Sequence, residues 1–341
     1  MDITAVGSKG ELARKWVEQS AVEASIQASS PAVGEDHVYV GGLGQSFYAL
    51  SRTDGDIVWS RDREGSLSDS SAQYHDGSVY VGGGGGGIYA FAGDDGTKRW
   101  HYSGSSAVTS SPVVTGGTVY AGRNDGVLLA LDDSDGTVIW EVDLGAPVYT
   151  DPGYSPKRDT VCVSTNDGTV HARDATSGGH VWSRQFGADV DTSSPVVDDD
   201  GGVVYFAASE MRALDVGDGT PQWGTSFYGA NAGSSPVSDD ETVYACGGSG
   251  KVYAVRPPDG LLVTEPEWEF QTWDVAISAD PVLAGDSLIV GTLDGTVYVL
   301  DTESGAEVET ASMSSEIRAT PVVADGEVYV ATSDGTVYAF G

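Results

Sequence analysis

Short apolar runs recur along the whole chain, rich in Val, Tyr, Leu and Ala and separated by clusters of Gly, Asp, Ser and Thr. Thr118-Val119-Tyr120-Ala121 and Val127-Leu128-Leu129-Ala130-Leu131 are typical, with Asn124-Asp125-Gly126 between them. Runs of this length and composition predict strands, and Asp-Gly turns, which need a positive φ, predict tight hairpins. The same turn signal stands at 166–168, 294–295 and 334–335. Helical periodicity is nearly absent, so the chain reads as all-β.

The strands are organised in a repeat. Ser29-Ser30-Pro31, Ser110-Ser111-Pro112, Ser194-Pro195 and Ser235-Pro236 mark its strongest copies; Ser71-Ala72, Asp151-Pro152, Asp280-Pro281 and Thr320-Pro321 are weaker ones. Their third positions are 31, 72, 112, 152, 195, 236, 281 and 321, at intervals of 41, 40, 40, 43, 41, 45 and 40 residues. Each unit holds four short strands, the pattern of propeller blades. The expectation is an eight-bladed β-propeller of four-stranded antiparallel blades, starting near 29, 70, 110, 150, 193, 234, 279 and 319.

A second pattern closes each unit: alanine, glycine six residues on, tryptophan four beyond. It occurs as Ala49/Gly55/Trp59, Ala90/Gly96/Trp100, Ala130/Gly136/Trp140, Ala172/Gly178/Trp182 and Ala213/Gly219/Trp223. Glycine permits a left-handed turn into the outer strand, and the small alanine leaves room for an indole to lie against the adjoining blade. The sixth unit keeps Ala254 and Gly260 but delays its tryptophan to Trp268, through an insertion containing Leu261 to Glu265. The seventh has Val299 for alanine and Glu309 for tryptophan, which predicts the weakest contact between blades. The eighth stops at Ala339-Phe340-Gly341, while Leu12 to Val17 is a strand carrying Trp16 with no repeat before it. Residues 12–18 are therefore expected to complete the last blade, giving one domain over 12–341 behind a flexible segment 1–11.

The alanine–glycine–tryptophan spacing resembles the tryptophan-docking repeat of the PQQ-like (quinoprotein-like) propeller superfamily, from about Leu12 to Gly341. That superfamily holds quinoprotein alcohol dehydrogenases, BamB-like outer-membrane assembly proteins and sensor domains joined to kinases, so the resemblance implies a fold more firmly than a function. In character the chain is similar to the BamB-like, non-enzymatic members. The dehydrogenases imply a quinone and Ca²⁺ on the propeller axis, a vicinal cysteine pair against the quinone and an aspartate base. They are typically longer, no vicinal cysteines occur here, and no residue-by-residue match carries those roles over.

Charge changes the picture. The 341 residues hold 51 acidic and 17 basic side chains, a formal net charge of −34. Acid scattered through turns, with only five lysines (Lys9, Lys15, Lys98, Lys157, Lys251), reads as the solvated surface of a halophile, where salt screens self-repulsion. Without a basic stripe, nucleic acid is a poor partner. Cys162 and Cys246 are expected to be two buried thiols. No stretch approaches the roughly 20 apolar residues of a membrane span. Residues 1–8 have no basic or apolar leader character, so the expectation is either a cytoplasmic protein or one whose leader was removed.

Other signals are read without chemistry. The run Gly82 to Gly87 fits GxGxxG but stands between strands, so it is taken as a floppy, shortened hairpin. The turns at 132–136 and 215–219 lack the first ligand of a calcium loop. His37, His75, His101, His171 and His180 show no zinc spacing and are expected in turns or on the surface. No GxSxG elbow occurs.

The loops entering the innermost strands should ring one mouth of the central channel. The candidates there are Gln27, Asp69, Tyr149, Asp191, Asn231, Trp273, Asp274, Glu316 and Arg318. An arginine and an exposed aromatic suit an anionic, sugar-like or peptide ligand. Trp16, Trp59, Trp100, Trp140, Trp182, Trp223 and Trp268 are assigned to docking between blades. The leading functional expectation is a monomeric, non-catalytic scaffold, exported or at the cell surface, binding a protein, peptide or glycan. The alternatives are a PQQ- and Ca-dependent dehydrogenase and the sensor domain of a larger kinase or receptor.

Overall fold

The computed structural model describes residues 12–18, 29–42, 46–62, 70–186, 193–198, 200, 202–207, 210–225, 234–239, 241–257, 262–263, 265–273 and 275–341. These form eight sheets, antiparallel but for one added strand, each the blade of a propeller. Blade 3 shows the plan: an inner strand Val113–Thr115, then Thr118–Gly122, Val127–Asp132 and an outer strand Val138–Asp143. The turn at 124–126 joins its two middle strands, with Gly126 at φ 93°. The Gly82–Gly87 hairpin is built the same way and is not shortened. Gly86 N–H donates to Gly83 O at 3.0 Å, as Gly126 N–H does to Arg123 O.

The ring closes as the sequence leads one to expect. Arg14–Glu18 pairs antiparallel with Val337–Phe340 and becomes the outer strand of blade 8, with Trp16 opposite Ala339. Arg52 of blade 1 clasps this seam. Its guanidinium donates to Tyr329 Oη and Asp325 at 3.0 Å and to the Glu35 carbonyl at 3.0 Å.

The insertion in the sixth unit has a structural role. Leu262–Val263 leaves blade 6 and runs parallel to Pro221–Thr225, giving blade 5 a fifth strand on its outer edge.

The apolar core is divided among the interfaces between blades. One cluster joins Trp100 of blade 2 to Val119, Leu129 and Leu131 of blade 3; another joins Trp140 to Val161 and Val163 of blade 4. Each docking tryptophan stands directly opposite its alanine, as in Ala130↔Trp140, and in blades 1 to 5 a bulge follows that pair in the ladder. Its indole then lies on the glycine of the next blade. A Cβ on Gly136 would come 2.5 Å from Trp100, and one on Gly96 2.6 Å from Trp59. The indole N–H donates to a turn carbonyl of that blade, Trp100 to Asp133 and Trp140 to Ala175, both at 2.8 Å. The glycine thus serves two ends at once: a left-handed φ of 74° at Gly136, and a bare face for the ring. Trp16, Trp182 and Trp268 meet Gly55, Gly219 and Gly305 in the same way. Trp223 is likewise buried, while the glycine of the next blade, Gly260, lies outside the described residues.

Both cysteines are free and buried, Cys162 between blades 4 and 5 and Cys246 between blades 6 and 7. His171 corrects the expectation that the histidines lie in turns or on the surface. It is buried within the strand Thr169–Asp174, with its ring nitrogens near Thr165 and Ser183 hydroxyls. Burial, then the nearby Arg173, lowers its pKa to about 4.

Candidate functional site: the axial ring and the channel mouth

The Ser-Ser-Pro repeat acquires a physical meaning at the axis. Its first residue ties the approach to the inner strand into its own blade; Gly122 N–H donates to Ser110 Oγ at 2.8 Å. Its second residue ties each blade to the next. Ser30 N–H donates to Ser71 Oγ (2.8 Å), Ser71 to Ser111 (3.1 Å), Ser111 to Asp151 Oδ1 (2.6 Å) and Asp151 to Ser194 (2.9 Å). The sequence continues from Ser194 to Ser235 (3.0 Å), Ser235 to the Asp280 carboxyl, Asp280 to Thr320 (3.2 Å) and Thr320 back to Ser30 (2.9 Å). Eight hydrogen bonds make a closed circle, each from a backbone N–H to the neighbouring side chain.

Two members of this ring are acids. Both residues stand half-buried at the axis, and desolvation there raises Asp151 to about 7 and Asp280 to about 6. The Ser111 N–H opposes the rise at Asp151, and Asp280 adds like-charge repulsion to it. Neither was singled out as a site from sequence. The signal was present as Asp-Pro where other units read Ser-Pro.

Ring register sorts the mouth candidates. Tyr149 precedes Asp151 by two residues and Arg318 precedes Thr320 by two, so they hold the same position on blades 4 and 8, half a turn apart. Tyr149 is 41% exposed. Arg318 is exposed too, but its Nε donates to Glu316 Oε2 at 2.8 Å, so its charge is already paired. Directly below them, Val148 and Ile317 are fully buried plugs. A Cβ on Gly122 would stand 2.2 Å from Val148, and one on Gly291 2.5 Å from Ile317.

Trp273 is placed elsewhere. It follows Thr272, whose N–H donates to Gly250 O as Leu144 N–H does to Gly126 O. Trp273 therefore occupies the position of Gly145 on blade 3, just past the outer strand and away from the inner-strand approach. It is 84% exposed and has a φ of 47° where Gly145 has 87°. A left-handed backbone under an indole costs about 1–2 kcal/mol. Gln27, Asp69, Asp191, Asn231 and Asp274 lie outside the described residues.

A profile of the family described as outer membrane protein assembly factor BamB matches residues 8–155, 124–272 and 264–341, in overlapping copies that span almost the whole sequence. The chain belongs to this family. Among solved structures, BamB from Moraxella catarrhalis superposes with a TM-score of 0.78 at 21% identity, covering 92% of this chain and 96% of that one. The computationally designed Ika8 protein gives 0.81 at 19%, covering 97% and 99%. Quinohemoprotein alcohol dehydrogenase from Comamonas testosteroni gives 0.77 at 16%, covering 97% of this chain and 76% of its own. At these identities the likeness is one of fold. No curated protein matches the sequence.

Among the described residues, no three His, Cys, Asp or Glu side chains gather as metal ligands. The two thiols sit in separate cores, and burial raises both pKa values, Cys162 to about 12. They cannot form a vicinal pair against a planar cofactor.

Proposed function

We propose that this protein is a non-catalytic propeller scaffold that holds a protein, peptide or glycan ligand over the mouth of its channel, exposed at the cell surface of a halophile. The observation that carries this reading is the matched placement of Tyr149 and Arg318 on opposite blades, above apolar plugs that fix both backbones. An exposed phenol offers stacking area and a hydroxyl, and a paired guanidinium keeps free N–H donors. Membership of the BamB family supports a binding role, and the charge of −34 supports a high-salt setting. The test is a peptide and glycan array probed in multimolar KCl with the native protein and with Tyr149→Ala/Arg318→Ala. A ligand retained equally by both would remove the mouth from consideration.

A second reading, a quinone-dependent dehydrogenase, is favoured by the fold shared with the Comamonas testosteroni enzyme. Titration with PQQ and Ca²⁺ separates the two. Saturation near one per chain with a raised melting temperature favours the enzyme, and an unchanged melt favours the scaffold.

A further inference from the structure

Blade 4 breaks the repeat inside its core. The residue that follows the docking alanine, or Val299 in blade 7, is apolar and buried in every blade but the fourth, as Leu131 is in blade 3 and Leu214 in blade 5. In blade 4 it is Arg173. Arg173 stands opposite Val161 on one neighbouring strand and His180 on the other, on the face of blade 4 that meets blade 3. His171, two residues earlier, shares that face and stands opposite Ser183. The half-buried guanidinium brings a charge into this cleft with no acid to balance it. Its Nε is buried without a hydrogen-bond partner, and burial acts on it alone, lowering its pKa. Other described arginines are provided for: Arg52 and Arg123 pair with carboxylates, and Arg61 and Arg184 donate to backbone carbonyls of the next blade. A desolvated charge without a partner costs free energy that an apolar residue in its place would avoid.

The hydrogen bonds beside Arg173 have a direction. Thr165 donates to Asp167 Oδ1 at 2.7 Å, so its oxygen accepts from His171 Nε2–H at 3.3 Å. His171 is neutral above about pH 4, which leaves its Nδ1 to accept from the Ser183 hydroxyl at 3.0 Å. Ser183 Oγ in turn accepts from His180 Nε2–H at 3.3 Å. The relay therefore ends on His180, exposed at the rim. The charges of Arg173 and His180 both act on His171, so the three basic groups form one cluster. Asp167 is the carboxylate that acts on His171; among the described residues none acts on Arg173.

We propose that Arg173 and His180 form a binding site for a small oxyanion, a phosphate or carboxylate group, in the cleft between the outer halves of blades 3 and 4. The guanidinium supplies the charge and a fork of donors, and protonated His180 supplies a further N–H. His171 and Ser183 are positioning residues that hold the His180 ring in line. In a chain of net charge −34 the surface as a whole repels anions, so binding here rests on these few groups. The site is separate from the mouth. Arg173 lies near the end of Thr169–Asp174 remote from the turn at 166–168, and it is that turn which joins the Tyr149 loop, Asn166 N–H donating to Pro147 O at 2.8 Å.

The test uses potassium phosphate and potassium acetate as probes, each exchanged against KCl at constant ionic strength, on the full chain and on Arg173→Leu. Leucine is the residue that blades 3 and 5 use at this position. At about 100 times its half-saturating concentration, one or both anions should raise the native melting temperature by about 3 °C more than that of the variant. An equal response of the two proteins to both probes would overturn the site. If the variant fails to fold, nitrogen-15 spectra of the native chain decide. The Arg173 Nε–H and His180 ring resonances should move together and saturate as the anion is added. Resonances that stay in place with both probes would equally dispose of it. A response to acetate as well as phosphate supports a site open to carboxylates, including an acidic side chain of a partner. A response to phosphate alone supports one that takes a free tetrahedral anion.

Discussion

Glu309 lies buried directly opposite Val299 across the outer pair of strands in blade 7, where blade 3 sets Trp140 opposite Ala130. The core between blades 7 and 8 is accordingly built without an indole, from Ile289, Val297, Val299, Val328, Val330, Tyr338 and Phe340. Blade 8 also has no continuous turn into its outer strand, because that strand comes from residues 14–18. The seam should be the first to open. Hydrogen exchange in Glu307–Ser312 is expected to exceed that in Val138–Asp143 by about tenfold or more, the effect of a local stability lower by about 1.4 kcal/mol. Mass spectrometry of the two peptides checks this.

Gly136 and Gly116 separate strain from crowding. Both have positive φ, 74° and 56°, but a Cβ on Gly136 meets Trp100 at 2.5 Å and one on Gly116 meets nothing within 4 Å. Gly116→Ala should cost about 1 kcal/mol, from backbone conformation alone. Gly136→Ala should cost about 3 kcal/mol or more, because the indole must leave its seat. Denaturant unfolding in constant salt measures the difference.

Trp273→Gly should stabilise the fold by up to about 1 kcal/mol, since it restores the residue type that Gly145 supplies at the same place. The indole is 84% exposed, so its removal gives up little buried area. The melting temperature of this variant should therefore rise. A lower melting temperature would show that the indole is part of the fold.

His171 acts against the aspartates of the ring. Its folded pKa of about 4 lies below the usual 6.5, so the unfolded chain binds the extra proton between those values. Stability from this residue is present above about pH 6.5 and is lost as pH falls toward 4. His171→Gln, which cannot titrate, should recover about 2 kcal/mol relative to the native chain between pH 6.5 and 4.5. Unfolding curves at the two pH values test it.

The architecture was readable from sequence because each blade states the same physical requirements again. The Ala130–Gly136–Trp140 spacing is the distance from a cross-strand partner, round a left-handed turn, back to an outer strand. What the spacing did not show is that Gly136 also seats the indole of the previous blade, a contact about 36 residues away in sequence. The ring was half visible: Ser-Pro marked the period, but the partner of each serine is on another blade, so Asp151 and Asp280 looked like weak copies of a repeat. The mouth was harder. Counting back from the inner strand puts Tyr149 and Arg318 at one position on blades 4 and 8, whereas Trp273 required knowing that Thr272 bonds to Gly250. Leu262–Val263 gave no strand signal of its own, since its partner belongs to the preceding blade.

The seam between Arg14–Glu18 and Val337–Phe340 also fixes an order of events. During synthesis the first of these strands leaves the ribosome more than 300 residues before its partner exists. Every other blade can pair its four strands as they emerge, but this one must wait, holding Trp16 without its seat on Gly55. Closing so long a loop is slow, and the rate at which native molecules accumulate should be set by that last pairing. Until then the nascent chain is an open arc with two unsatisfied edges, and its exposure to misassembly ends only when these two strands meet.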